Sequence, residues 1–72
     1  MDQVSLSARE QQVLELVVEG LTTRAIAYRL GVSARRVRNL RYSVQRKLEA
    51  ETMMTAVARA VQLGLVDAWK VG

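Results

Sequence analysis

Neither cysteine nor histidine occurs in this chain of 72 residues. Together the two absences remove disulfide staples, zinc fingers, a thiol nucleophile and an imidazole general base. Proline is also absent and glycine occurs only four times, so little interrupts a composition rich in the helix formers Ala, Leu, Arg and Glu. The valines recur at helical spacings, without the alternation of a strand. No apolar run approaches the roughly eighteen residues of a membrane span, and Met1-Asp2-Gln3 lacks the basic start of a secretory signal. The chain is therefore expected to be soluble and cytoplasmic, with no membrane partner. No metal-ligand cluster or phosphate-cradling glycine loop is present, and the few carboxylates have no evident pairing, so neither an enzyme nor a bound metal or cofactor is expected.

What is present is helical patterning in a single short domain spanning 1–72. A chain of this length buries only about 60% of the surface that its unfolded form exposes, so it needs efficient helix packing or a partner subunit. Ser7-Ala8-Arg9-Glu10 has the form of a capping box and predicts a first helix over 7–19, stopped by Gly20. Its buried stripe is expected from Val13, Leu14, Val17 and Leu21. A second helix over 23–30 starts at the pair Thr22-Thr23 and stops at Gly31, offering Ala25, Ile26, Ala27 and Leu30 to the core. Ser33 then caps a third helix over 33–48, which leaves Gly31 as the pivot of a short turn between two helices.

A fourth helix is predicted over 52–63, closed by Gly64. Met54, Val57, Ala58 and Val61 line one face of it; Met53, Ala56, Ala60 and Leu63 line another. A short terminal helix cannot bury both internally, so Met53, Ala56, Val57, Ala60 and Val61 are the candidate contacts of a homodimer. The fold class is thus all-α, a four-helix domain containing a helix-turn-helix, with helix four for dimerisation. The tail from Asp67 to Gly72 carries the only tryptophan, Trp69, read as a cap on the core or as surface decoration, with a role in the dimer as the lesser alternative.

Charge is strongly segregated along this pattern. Between Gly20 and Leu48 there is no acidic residue, while Arg24, Arg29, Arg35, Arg36, Arg38, Arg41, Arg46 and Lys47 all fall inside that window. Such a segment attracts a polyanion through counterion release. Turned at about 100° per residue, the third helix puts Val37, Leu40, Val44 and Leu48 on the core side. Arg35, Asn39, Tyr42 and Arg46 lie opposite, with Arg38 and Gln45 on one shoulder and Arg36, Ser43 and Lys47 on the other.

A helix presented in this way fits the major groove of double-stranded DNA. Arginine donates twice to guanine, asparagine pairs bidentately with adenine, and tyrosine offers a hydroxyl and a ring edge near thymine methyls. Arg35, Arg38, Asn39 and Tyr42 are therefore the candidate base readers. Thr22, Thr23, Arg24, Arg36, Arg46 and Lys47 are placed for the phosphates on either side.

The motifs Leu6-Ser7-x-Arg9-Glu10-x-x-Val13-Leu14, Glu19-Gly20-Leu21-Thr22, Ile26-Ala27-x-x-Leu30-Gly31-Val32-Ser33, Val37, Lys47-Leu48, Ala56-Val57-x-x-Ala60 and Leu63-Gly64-Leu65-Val66 resemble the LuxR-type helix-turn-helix domain over Leu6 to Val66. That resemblance implies a four-helix transcription-factor domain that binds DNA as a dimer through its last helix. It also implies base contacts at Arg38, Asn39 and Tyr42 and a backbone contact at Lys47. Four positions depart from the family pattern: Ala25 stands for its glutamate, Arg36 for threonine, Leu40 for histidine, and Glu49 for the glycine after Lys-Leu. The last departure predicts a longer third helix or an altered exit from it. Two other readings share part of the pattern. One is a sigma-factor region-four-like module docked on RNA polymerase, against which the patterned fourth helix argues. The other is a protein-interaction module that captures another regulator through helix four.

Overall fold

The computed structural model describes residues 4–67, so the Trp69 tail read as a core cap lies outside the described residues. Four helices follow in order, α1 (Ala8–Val18), α2 (Thr23–Leu30), α3 (Ala34–Lys47) and α4 (Met53–Gln62). No strand occurs among the described residues. Each helix starts where a hydroxyl can take an otherwise orphaned backbone N–H. Ser7, Thr22, Ser33 and Thr52 are the N-caps and accept from the N–H of Glu10, Ala25, Arg36 and Thr55 respectively. The ranges expected from sequence differ from these mainly by counting caps as helix.

The turn between α2 and α3 is closed by Gly31, whose φ of 70° lies in the left-handed region that glycine enters without a Cβ penalty. Beyond it the Val32 N–H donates to the Ala27 carbonyl at 3.0 Å, and the chain restarts at Ser33. The turn itself is thus closed by backbone groups.

Two groups of buried side chains share α1 and α3. Leu14 and Val18 of α1 meet Val44 and Leu48 from the C-terminal end of α3, Ala56 and Ala60 of α4, and Val66. Val13 and Leu16 of α1 meet Ile26 and Ala27 of α2 and Val37 and Leu40 of α3. The core side of α3 is as its periodicity predicts. In α1 the stripe is wider than expected: Leu16 and Val18 are buried, whereas Val17 and Leu21 are only partly so. Ala25, expected in the core, is exposed on α2.

The fourth helix corrects a second expectation. Ala56 and Ala60, assigned to a dimer contact from sequence, are fully buried within the chain and present no surface to a partner. Met53 is half-buried and packs against the same core. Small side chains at those two positions let α4 approach the α1–α3 pair closely. Val57 and Val61 are half-buried and pack against that core too, while Met54 stays 84% exposed.

After α3 the chain does not lengthen the helix. Leu48 is its C-cap, and Glu49 takes a φ of 54°, the left-handed conformation that the family's glycine would supply. A side chain there carries strain of about 1 kcal/mol. Glu49→Gly is accordingly expected to raise stability by up to about 1 kcal/mol, read as a higher midpoint in thermal denaturation followed by circular dichroism; a lower midpoint would show that the glutamate makes a compensating interaction.

Candidate nucleic-acid interface

Burying Val37, Leu40, Val44 and Leu48 rotates the remaining side chains of α3 outward. Arg35, Arg36, Arg38, Asn39 and Arg46 are exposed, and Tyr42 is 61% exposed. All four candidate base readers therefore share one solvent-facing surface. Arg46 lies over the Tyr42 ring with its guanidinium carbon 5.9 Å from the centroid, a cation–π contact at the outer limit of useful distance.

Electrostatically the surface is uncompensated. The one ion pair among the described residues joins Lys47 to Glu10, so none of their carboxylates lies within pairing distance of Arg24, Arg35, Arg36, Arg38 or Arg46. Five guanidinium groups with free donors on adjoining faces of α2 and α3 repel one another until a polyanion supplies countercharge. At the start of α2, Thr22 is occupied as the N-cap and Arg24 is exposed. The Thr23 hydroxyl accepts from Arg41 Nη1 at 2.9 Å.

Lys47 has a partner that its place on the sequence did not reveal. Its Nζ donates to Glu10 Oε1 at 2.8 Å and to the Ser5 carbonyl at 3.3 Å, which leaves one ammonium donor for any phosphate. Glu10 is the one buried charged side chain among the described residues, 6% exposed. It also accepts from the Ser7 N–H at 2.8 Å and from the Ser43 hydroxyl. A carboxylate that closes the α1 capping box thus also grips two residues of α3. Burial opposes ionisation of Glu10, but the hydrogen bonds from Lys47, Ser43 and Ser7, with the Lys47 charge, outweigh it and lower its pKa to about 2.

Three residues of this arrangement escaped the sequence reading, and two of them left a trace. At about 100° per residue, Arg41 lies only about 40° from Val37 and so on the margin of the buried stripe, where a guanidinium needs a partner; Ser43 flanks Leu40 in the same way. Glu10 left none beyond its capping-box spacing, because its partners are 33 and 37 residues away along the chain.

With this geometry in view, the sequence profile of a family described as bacterial regulatory proteins, luxR family, matches residues 4–60. Among curated proteins, the transcriptional regulatory protein FixJ of Azorhizobium caulinodans is 43% identical over 63 residues, covering 88% of this chain and 30% of that protein. The transcriptional regulatory proteins YdfI and DesR of Bacillus subtilis are each 37% identical, over 65 and 59 residues, covering 90% and 82% of this chain and 30% of each protein. The chain thus spans about 30% of the length of these relatives.

Proposed function

Since the chain belongs to the luxR family of bacterial regulatory proteins, we propose that it is a sequence-specific DNA-binding transcriptional regulator whose helix α3 enters the major groove. The observation that carries this reading is the outward face of α3, where Arg35, Arg38, Asn39 and Tyr42 are exposed together with no acidic partner among the described residues. Arg35 and Arg38 donate to guanine edges, Asn39 pairs with adenine, and Tyr42 meets thymine methyls or sugars. Thr22, Thr23, Arg24, Arg36 and Arg46, with the remaining donor of Lys47, hold the phosphates and fix the register.

The active species in this reading is a homodimer on a two-fold symmetric or repeated site. Support comes from the outer stripe of α4: Met54 is largely exposed on a helix whose inner alanines are already spent on the core. Met54, with the parts of Val57 and Val61 not packed on the core, then forms the contact, in place of the set that sequence alone gave. No helix among the described residues is long and apolar enough to cross a membrane.

Sedimentation of the chain with duplex DNA at two salt concentrations tests both parts. Affinity is expected to fall steeply with salt, by a slope of about 0.9 per phosphate neutralised, and the complex to contain two chains per site. Met54→Glu is expected to form a one-chain complex at concentrations where the parent forms the two-chain one, without lowering the melting temperature. A salt-independent affinity would contradict the DNA reading, and an unchanged two-chain complex in Met54→Glu would contradict the α4 contact.

A further inference from the structure

The charge cluster of α3 contains one arginine that does not face solvent freely. Arg41 is half-buried beside the Val37–Val44 stripe, and its Nη1 reaches Thr23 Oγ1 across the helix-turn-helix. This bond joins residues 18 apart and ties the first turn of α2 to the middle of α3. The two helices are already packed through Ile26, Ala27, Val37 and Leu40, so the fold does not depend on it.

The chemistry of the pair has a direction. A guanidinium has donors only, so the Thr23 oxygen must accept, and the hydroxyl hydrogen is left to donate elsewhere. Phosphate oxygens accept only. The neighbouring Thr22 hydroxyl likewise accepts, from the Ala25 N–H, and keeps its own hydrogen to donate, but only Thr23 is tied to the recognition helix. Arg41 also adds positive charge behind Thr23.

We propose that Arg41 is a positioning residue for DNA binding, setting the Thr23 hydroxyl as a phosphate donor and holding the start of α2 in register with the recognition helix. The inference rests on the DNA reading above. In it, Arg41 acts through Thr23, so the two side chains form one functional unit whose removal costs are shared.

A double-mutant cycle on the full chain reads this directly. Arg41→Met, Thr23→Val and the double variant are titrated with a duplex selected from a random-sequence library, well below each variant's melting temperature so that all are folded. Each single change is expected to weaken binding about tenfold, and the double to bind no more weakly than the weaker single variant. Arg41→Lys, which can still donate to Thr23, is expected to recover part of the affinity. Additive losses, near a hundredfold for the double, would overturn the inference, as would full binding by Arg41→Met or failure of the lysine to recover any affinity. Failure of the unsubstituted chain to bind the duplex overturns the DNA reading itself; failure of the cycle with that chain binding overturns only the role of Arg41.

Discussion

With Arg38 replaced by alanine, the free-energy gap between a selected DNA site and its single-base mismatches is expected to shrink by about 1–3 kcal/mol. The reason is geometric. Arg38 is exposed on the surface shared with Asn39 and Tyr42, and its planar donors can engage a guanine edge as a pair, an interaction that one base satisfies and others do not. Arg36 provides the internal comparison: Arg36→Ala is expected to weaken every sequence alike and to reduce the salt slope by about one. Neither arginine has an acidic partner among the described residues, so both variants should melt within about 0.5 kcal/mol of the parent stability. Relative affinities unchanged across a mismatch series in Arg38→Ala would mean that the groove orientation assigned to α3 is wrong.

Glu10→Gln is expected to give the largest loss of stability, about 2–3 kcal/mol at neutral pH. The folded carboxyl titrates near 2 against an ordinary 4.5, which corresponds to about 3 kcal/mol of linked stability. That figure is reduced because the Lys47 side chain is 42% exposed and its charge is partly screened. The sign follows from proton uptake. Between pH 4.5 and 2 the unfolded chain binds the proton that the native carboxylate refuses, so this contribution is complete above about pH 4.5 and disappears as the pH falls towards 2. Thermal melts should show Glu10→Gln lower by about 10–20 °C at neutral pH, with that part of the acid-dependent loss absent. An unchanged neutral melting temperature would show that Ser7, Ser43 and Lys47 are held without the charge. Lys47→Met is expected to destabilise as well, since it leaves a buried carboxylate without its cation; a DNA-binding loss in that variant must be corrected for the folded fraction.

How much of this could be read along the chain depends on the range of the interaction. Helix starts are local events, and Ser7, Thr22, Ser33 and Thr52 announce them through a hydroxyl three residues before the N–H it accepts. The inward and outward sectors of α3 follow from its period alone. Which face of α4 is inside does not, because both carry apolar side chains. Ala56 and Ala60 are chosen by close approach to α1 and α3, a tertiary matter; Val57 and Val61 pack partly against the same core, and Met54 is left towards solvent. The Glu10–Lys47 and Thr23–Arg41 pairs are likewise products of packing. In both, a cation of the basic segment turns inward to a polar group on an earlier helix. Glu49 shows the converse: its departure from the family's glycine changes residue type but not backbone, and the turn after α3 keeps its left-handed form.

The central claim is that the exposed face of α3 reads DNA sequence. Selection of bound duplexes from a random-sequence library by the full chain, followed by sequencing, tests it most directly. The account predicts enrichment of a short motif containing guanine at the positions opposite Arg35 and Arg38, repeated or inverted at a fixed spacing. A library that stays random through successive rounds, with the chain folded and the salt low, would contradict it.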